Sequence, residues 1–123
     1  MRLLLDTHVL IWWDEGAKLS AKATHAIQEA EQVYVSAASA WEIAIKASLG
    51  RLTTSRRVVD AVAESGFEEL PIRLAHAEAV QGLPWHHRDP FDRLLVAQAV
   101  AEGLTLVTRD PVFKRYGLKI LKA

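Results

Sequence analysis

The sequence predicts an α/β fold with a mostly parallel central sheet of four to five strands and helices on both faces of the sheet. Short, almost entirely apolar segments recur along the chain, as in parallel strands that are covered on both sides. Helical segments that begin near Ser or Asp and end near Gly alternate with them, which indicates crossover connections. The 123 residues contain no repeat or linker, so we expect residues 1–123 to form a single domain.

The first fifty residues are predicted to fold in the order strand, helix, helix, strand, helix. These elements cover residues 3–5, 8–15, 21–31, 33–35 and 40–49. The two strands are unbroken runs of aliphatic or aromatic side chains, Leu-Leu-Leu and Val-Tyr-Val. Ser20 and Ser39 are the predicted N-caps of the second and third helices, and Gly16 and Gly50 are placed to end the first and third.

The remaining residues are predicted to contribute two longer helices, two short helices and three strands. In chain order these are helix 56–65, strand 69–72, helices 74–81 and 90–102, strand 104–108, a short helix after Asp110-Pro111 and strand 118–121. Ser55, Asp89 and Asp110 are the predicted N-caps. Asp89 and Asp110 are each followed by a proline, which suits the first position of a helix.

Composition and charge exclude several classes of function. Lys plus Arg and Asp plus Glu each number 15, so the net charge is zero and no global positive field attracts nucleic acid. Any contact with nucleic acid is therefore expected to be local. The lack of cysteine excludes disulfides, iron–sulfur clusters, cysteine zinc sites and thiol nucleophiles. The apolar runs are too short for a signal peptide or a membrane span, which predicts a cytoplasmic protein.

Four carboxylates stand where the predicted strands end or where helices begin. Asp6 directly follows the first strand, and Glu42 lies in the predicted first turn of the helix after the second strand. Asp92 lies in the first turn of the helix over 90–102, and Asp110 directly follows the next strand. The carboxyl ends of parallel strands meet at one edge of a sheet, where ligands bind. If the helix over 90–102 starts at the same edge as the others, we therefore expect the four carboxylates to converge there.

Each carboxylate taken alone also has a purely structural interpretation. Ser39 and Glu42 fit a capping box, in which Glu reaches back to a free backbone N–H. Asp110 suits an N-cap, as does Asp89, and Asp92 suits the positive end of its helix dipole. As a set, however, the carboxylates repel one another, and a pair about 4 Å apart costs about 4 kcal/mol at an effective dielectric of about 20.

This repulsion has two possible solutions. Ion pairs could form with arginines that flank the later two carboxylates, namely Arg88, Arg93 and Arg109. A divalent cation is the other solution, and ligation by oxygen alone suits Mg²⁺ or Mn²⁺ rather than zinc. Such an ion can make water a nucleophile near neutral pH. Hydrolysis of phosphodiester bonds is the use that this chemistry favours.

Four segments of the sequence resemble, in order, the motifs of PIN-domain ribonucleases. They are residues 4–10, 36–46, 87–95 and 106–110, and the match extends over nearly the whole chain. More narrowly, the chain resembles the VapC toxins of bacterial and archaeal toxin–antitoxin systems, which are single PIN domains of this length. The resemblance implies an endoribonuclease that depends on Mg²⁺ or Mn²⁺, acts on RNA, forms homodimers and is neutralised by a small VapB-like antitoxin.

The resemblance also implies roles for the carboxylates. Asp6, Glu42 and Asp92 match the three core metal-binding and catalytic positions, and Asp110 matches the more variable fourth. Asp89 ranks below Asp92 as a ligand, because its place before a proline suits an N-cap. The resemblance therefore assigns the same four carboxylates as the strand-end argument.

Side chains around these carboxylates are candidates for supporting and substrate-binding roles. Thr108 matches a hydroxyl position near the metal, and Thr7 follows the first Asp as in many relatives. The candidate substrate contacts are Arg93, Arg109, Lys46 and Trp85. Trp85 suits base stacking, whereas Lys46 lies one helical turn beyond Glu42 and could instead pair with it.

Other aromatic and apolar side chains are expected in the core or at contacts with partners. The three tryptophans within helical segments are expected in the core or at a dimer contact: Trp12, Trp13 and Trp41. Three valines share a helix face that suits a partner helix: Val58, Val59 and Val62.

Several other interpretations of the sequence are less favoured. A zinc site at His86 and His87 is disfavoured, because adjacent loop residues point apart and no His-Glu-x-x-His pattern is present. A Ser-His-Asp triad is disfavoured, because the sequence has no Gly-x-Ser-x-Gly motif and Ser39 is assigned as a helix cap. A Mg²⁺-binding regulatory or receiver-like module is an alternative, although Asp6 has no acidic neighbour. A last alternative is an interaction protein whose acidic residues only cap helices.

Overall fold

The computed structural model describes residues 1–16 and 18–123, which form a five-stranded sheet with helices on both faces. The strands are β1 (Arg2–Leu5), β2 (Gln32–Ser36), β3 (Glu68–Leu70), β4 (Thr105–Thr108) and β5 (Ile120–Lys122). They lie in the order β3-β2-β1-β4-β5, and all four pairings are parallel. The predicted α/β fold is therefore confirmed.

Within the described residues, six α-helices and two 3₁₀-helices join the strands. The α-helices are α1 (Thr7–Glu15), α2 (Ala21–Glu29), α3 (Ala37–Ser48), α4 (Val58–Glu64), α5 (Leu74–Ala79) and α6 (Pro90–Glu102), and the 3₁₀-helices cover Val80–Gly82 and Pro111–Tyr116. Because the strands are parallel, their carboxyl ends share one edge of the sheet. In this part of the chain no helix combines the length and the apolar character needed to cross a bilayer.

The central strand β1 divides the interior into two cores. Leu3 and Leu5 face one core and Leu4 faces the other, since successive side chains of a strand point to opposite faces. Helices α1, α2 and α3 complete the first core, with Val9, Ile27 and Ile43 among its residues. Helix α6 and the second 3₁₀-helix complete the other, with Leu95, Val96 and Phe113. All three leucines are fully buried, as an unbroken apolar strand requires.

The start of α3 differs from the prediction. The helix begins at Ala37, and the hydroxyl of Ser36, the last residue of β2, caps it by accepting a backbone N–H of the first turn. Ser39 does not cap the helix, because its hydroxyl accepts a hydrogen bond from Thr7 at 2.9 Å. β2 therefore passes into α3 without a loop, and Glu42 lies in the second turn of the helix. The capping-box interpretation of Glu42 is wrong.

Other predicted helix ends are confirmed. Ser20, Asp89 and Asp110 each accept a backbone N–H of the helix that follows, as N-caps do. Gly16 ends α1 in the left-handed conformation at φ 72°. These are positions where a short side chain or a missing Cβ decides the backbone locally, so sequence alone identifies them.

The start of α4 was predicted incorrectly. Ser55 does not cap it, and the helix begins later, at Val58. The segment before it is held by Arg56, whose guanidinium lies 2.7 Å from Asp14 Oδ1 in α1. This contact with a distant helix outweighs the local capping preference. Apart from the starts of α3 and α4, the element bounds differ from the prediction by at most two residues.

Candidate active site

The candidate site lies at the edge of the sheet where β1 and β4 end. Asp6 directly follows β1 and is only 8% exposed. The hydroxyl of Thr108, the last residue of β4, donates a hydrogen bond to Asp6 Oδ2 at 2.7 Å. The same hydroxyl accepts the backbone N–H of Asp110 at 3.1 Å. Thr108 thus links the first and the last carboxylate of the predicted set.

Glu42 reaches this edge from α3. It is almost fully buried, and Lys46, one turn along the helix, donates a hydrogen bond from Nζ to Glu42 Oε2 at 2.6 Å. The hydrogen bond to Glu42 is the main cause that raises the pKa of Lys46. The pairing expected from the spacing is therefore confirmed. Thr7 holds the start of α1 against α3 through its bond to Ser39, and so supports the position of both carboxylates.

Three further side chains bring their possible ligand atoms to within 4.8 Å of one another: His87, Asp92 and Asp110. His87 Nε2 lies 2.8 Å from Asp110 Oδ2 and 4.0 Å from Asp92 Oδ2. Asp92 comes from the first turn of α6, and Asp110 precedes the second 3₁₀-helix. His87, from the loop before α6, therefore connects the two carboxylates, which lie at the starts of α6 and of the second 3₁₀-helix.

His87 is the residue of this site that the sequence analysis missed. The expectation that the adjacent histidines point apart holds only in part, because both rings pack against Tyr116, His86 edge-on and His87 nearly parallel. His86 is exposed, whereas the His87 side chain is only 9% exposed. What could not be inferred is that His87 turns toward the carboxylates. Its only local signal is its place in the loop that leads into the Asp89 cap, five residues before Asp92.

Asp6 and Glu42 stand outside this trio. Among residues 1–16 and 18–123, the one group of at least three possible ligands within 4.8 Å is that of His87, Asp92 and Asp110. The charges of Asp6 and Glu42 nevertheless raise the pKa of Asp92, a member of this group. The structure thus places the four predicted carboxylates at one edge but draws only two of them into close contact with a common partner.

The carboxylates at this edge raise one another's proton affinity. Burial is the main cause that raises the pKa of Asp92 to about 7, and the charges of Asp89 and Asp6 add to it. Glu42 adds less, and His87 opposes the rise. Burial likewise raises the pKa of Asp6, against the hydroxyl hydrogen bond that stabilises its anion. The negative charge at this edge is therefore incompletely compensated by the protein.

Asp110 behaves differently from these two carboxyl groups. Burial alone would raise its pKa, but hydrogen bonds from His87 and from the backbone N–H of Val112 outweigh burial, and the pKa of Asp110 is lowered. Asp110 is consequently the carboxylate of the trio that is most firmly held as an anion.

Arg93 does not occupy the position that a substrate contact requires. It is 3% exposed, and its guanidinium donates hydrogen bonds to the carbonyl oxygens of Val80, Leu83 and Pro84. It also stacks on the ring of Trp85 at 3.8 Å from the ring centroid. Arg93 therefore anchors the loop before α6, and the structure contradicts the prediction that it contacts substrate. Trp85 itself is 76% exposed and remains accessible.

The other basic and aromatic candidates also have defined positions. Arg109 is exposed, lies over the ring of Trp12 at 4.2 Å and donates to the carbonyl oxygen of Ala123. Trp12 and Trp13 pack against the first core as expected. Trp41 does not belong to the core, because it is 57% exposed beside Glu42 in the chain.

The donor set of the edge fits a hard divalent cation. Asp6, Glu42, Asp92 and Asp110 offer oxygen atoms only, as Mg²⁺ and Mn²⁺ prefer. Of the three arginines named as alternative neutralisers, Arg93 and Arg109 contact other partners, and Arg88 is exposed. The buried anions with raised pKa values thus lack the compensating charge that an ion would provide.

Comparisons with known proteins agree with this fold. A PIN domain family model matches residues 3–119. Ribonuclease VapC22 of Mycobacterium tuberculosis is 34% identical over 112 residues, covering 88% of this chain and 86% of the relative. VapBC2 from Rickettsia felis, solved with a promoter DNA fragment, shares the fold at TM-score 0.70 and 17% identity, covering 99% of this chain and 98% of the other. FitAcB from Neisseria gonorrhoeae does so at TM-score 0.66 and 20% identity, with 97% and 96% covered. This chain belongs to the PIN domain family.

Proposed function

We propose that this protein is an endoribonuclease that hydrolyses RNA phosphodiester bonds with Mg²⁺, or Mn²⁺ in its place, and that it is the toxin of a cytoplasmic toxin–antitoxin pair. The observation that carries the proposal is the group of carboxylates at the edge where β1 and β4 end, of which Asp6 and Glu42 are buried and Asp6 and Asp92 have raised pKa values. The identity with ribonuclease VapC22 over most of both chains supports a nuclease and indicates RNA as the substrate.

In this proposal the four carboxylates hold the ion. A divalent ion supplies water of lowered pKa and neutralises charge on the phosphate. Thr108 fixes the orientation of Asp6 by occupying Oδ2, which leaves Oδ1 for ligation. Lys46 does the same for Glu42 through Oε2. Asp92 loses its proton more readily as the ion binds, because positive charge reverses the effects that raise its pKa.

The groove proposed to take a single strand of RNA adjoins Asp6 and Glu42 through Thr7, which follows Asp6, and Lys46, which is bonded to Glu42. Its volume is about 390 Å³, and it is lined by residues that include Thr7, His8, Trp12, Lys18, Lys46 and Arg51. The cations can contact phosphates, and an aromatic ring can stack on a base. This local basic lining meets the expectation that a chain without net charge binds nucleic acid only locally. Trp85 and Arg109, which lies over the ring of Trp12, are further candidates.

The proposed antitoxin is a VapB-like protein, as in the VapBC complexes that share this fold. A groove of about 340 Å³ between α3 and α4 is lined by apolar side chains that include Val58, Val59, Val62 and Phe67. Val59 is 65% exposed there, so a partner helix would bury it. The exposed Trp41, which packs edge-on against Phe91 at 5.1 Å, is the proposed contact of a homodimer.

The decisive experiment compares RNA cleavage by the wild type and by Asp6→Asn. A fluorescently labelled single-stranded RNA is incubated with each purified protein and Mg²⁺, with EDTA as the metal-free arm. We expect the wild type to cleave RNA only when metal is present. The cleavage rate of Asp6→Asn should be lower by at least about 100-fold, because the substitution removes a metal ligand and its negative charge at once. Glu29→Gln, an exposed carboxylate of α2, is the matched control. Undiminished cleavage by Asp6→Asn would refute the proposed site, and cleavage in EDTA would refute the metal dependence.

A further inference from the structure

We propose that His87 is a positioning residue for Asp110, and that Tyr116 holds the imidazole in the one tautomer that can serve this purpose. His87 Nε2 and Asp110 Oδ2 are 2.8 Å apart, and Tyr116 Oη lies 3.1 Å from the other ring nitrogen. The inference rests on the proposed function, because it takes Asp110 as a metal ligand. It assigns roles to two side chains, His87 and Tyr116, to which the sequence analysis gave no role at the site.

The hydrogen bonds determine which ring nitrogen carries the proton. The backbone N–H of His87 donates to Tyr116 Oη at 2.9 Å, so the hydroxyl already accepts one bond. Its own proton is then free to be donated to His87 Nδ1. A neutral imidazole that accepts at Nδ1 carries its proton on Nε2. The Nε2–H group therefore donates to Asp110 Oδ2.

Packing fixes the imidazole as firmly as the hydrogen bonds do. The ring is stacked nearly parallel to that of Tyr116, at an interplanar angle of 6°, and its centroid lies 4.4 Å from that of Phe113. Both aromatic rings belong to the 3₁₀-helix that Asp110 caps. Donor and acceptor are therefore carried by one local unit, and the His87 ring has little freedom to turn away.

The Asp110 carboxylate is held at both of its oxygens. Oδ1 accepts the backbone N–H of Val112 at 2.9 Å, and Oδ2 accepts the Nε2–H of His87. Each carboxylate oxygen can accept more than one contact, so lone pairs remain for an ion. A donor at each oxygen restricts the orientation of the carboxylate, which lies in the same group of possible ligands as Asp92. Such outer partners orient ligands and increase metal affinity.

The same geometry argues against His87 as a metal ligand. Nε2 uses its proton for Asp110, and a protonated ring nitrogen has no lone pair to give. Nδ1 is directed at the hydroxyl of Tyr116. Both nitrogens are thus engaged by the protein, and the carboxylates alone face the ion. Ligation by His87 is the alternative that the experiment must separate.

The test measures Mn²⁺ affinity by titration calorimetry, independently of RNA cleavage. His87→Ala removes the donor, and we expect binding to weaken roughly 10-fold to 100-fold. His87→Gln offers an amide N–H to Asp110 and should recover most of that loss. Tyr116→Phe should weaken binding less than His87→Ala. The matched control is His25→Ala, an exposed histidine of α2, which should bind Mn²⁺ as the wild type does.

Two spectroscopic measurements complete the test. In ¹⁵N spectra of the metal-free wild type, His87 should be protonated on Nε2, and Tyr116→Phe should shift the Nδ1 resonance, because it removes the hydroxyl that donates to Nδ1. These spectra test the inference even where His87→Ala does not fold. In electron spin-echo spectra of the Mn²⁺-loaded wild type, a nitrogen signal that is lost in His87→Gln would show that His87 coordinates the ion. We expect no such signal. Such a nitrogen, an Nδ1–H tautomer, or an affinity that His87→Ala leaves unchanged would each overturn the inference.

The Asp6→Asn variant separates this inference from the proposed function. If Asp6→Asn still cleaves RNA, the proposed function fails whatever His87 does. Asp6→Asn could instead be inactive and bind Mn²⁺ weakly while His87→Ala binds Mn²⁺ as the wild type does. In that case the proposed function stands and only the role of His87 is wrong.

Discussion

Asp92 should make the metal-free protein less stable as pH rises. Burial, followed by the charges of Asp89 and Asp6, raises its pKa from 3.8 to about 7. Between these values the folded protein keeps a proton that the unfolded chain has released. Stability is therefore fully present below about pH 4 and is lost as pH rises toward 7. Asp92→Asn, which is neutral at every pH, should remove this loss.

The magnitude follows from the same pKa. A rise from 3.8 to about 7 corresponds to about 4 kcal/mol, at about 1.4 kcal/mol for each pKa unit. The side chain is 24% exposed, so screening by water reduces this value. We expect Asp92→Asn to be about 2 kcal/mol more stable than the wild type near pH 8 and nearly equal to it near pH 4.

The assay is urea unfolding in EDTA, followed by tryptophan fluorescence at several pH values between about 4 and 8. Glu29→Gln, which removes an exposed carboxylate of α2, serves as the control and should show no such pH-dependent gain. Saturating Mn²⁺ should reverse the order at high pH, since an ion at 100 times its Kd adds about 2.7 kcal/mol to the wild type. A variant that is less stable than the wild type in EDTA near pH 8, or equally stabilised at every pH, would refute the electrostatic reasoning.

Three other substitutions test neighbouring parts of the structure. Thr108→Val keeps the shape but removes the donor to Asp6, so urea unfolding should show a loss of about 1 to 3 kcal/mol; unchanged stability would contradict the bond. Arg93→Met should cost a similar amount by releasing three carbonyl groups, and should leave the KM for RNA unaltered; a raised KM at full stability would restore its predicted role as a substrate contact. Val59→Asp should weaken antitoxin binding at least about 10-fold in a calorimetric titration while cleavage persists, whereas Val100→Asp, an equally exposed valine of α6, should not.

The sequence best predicted the structural features that depend on residues adjacent in the chain. The Leu3–Leu5 run of β1 and the caps at Ser20, Asp89 and Asp110 depend on burial on both faces or on one hydroxyl or carboxylate near a free N–H. They were placed correctly for that reason. The carboxylates could be assigned to one edge because parallel topology requires it.

Features that depend on distant partners could not be predicted. Ser36 and Ser39 are equally able to cap α3, and the choice is made by Thr7, which lies 32 residues from Ser39 and engages its hydroxyl. His87 turns inward because Tyr116, 29 residues away, accepts its backbone N–H. Neither of these contacts between distant residues can be inferred from the pattern of neighbouring residues in the sequence.

Asp110 shows why capping and ligation need not be opposed as interpretations of one carboxylate. As an N-cap it uses Oδ1 for the N–H of Val112, while its second oxygen contacts His87 within the group that also contains Asp92. Asp89 caps α6 in the same way and also precedes a proline, yet it is exposed and reaches the site only as a charge that raises the pKa of Asp92. The difference is the donor at the second oxygen, which His87 supplies to Asp110. A cap at a strand end therefore becomes a candidate ligand when the fold supplies a partner that fixes its free oxygen.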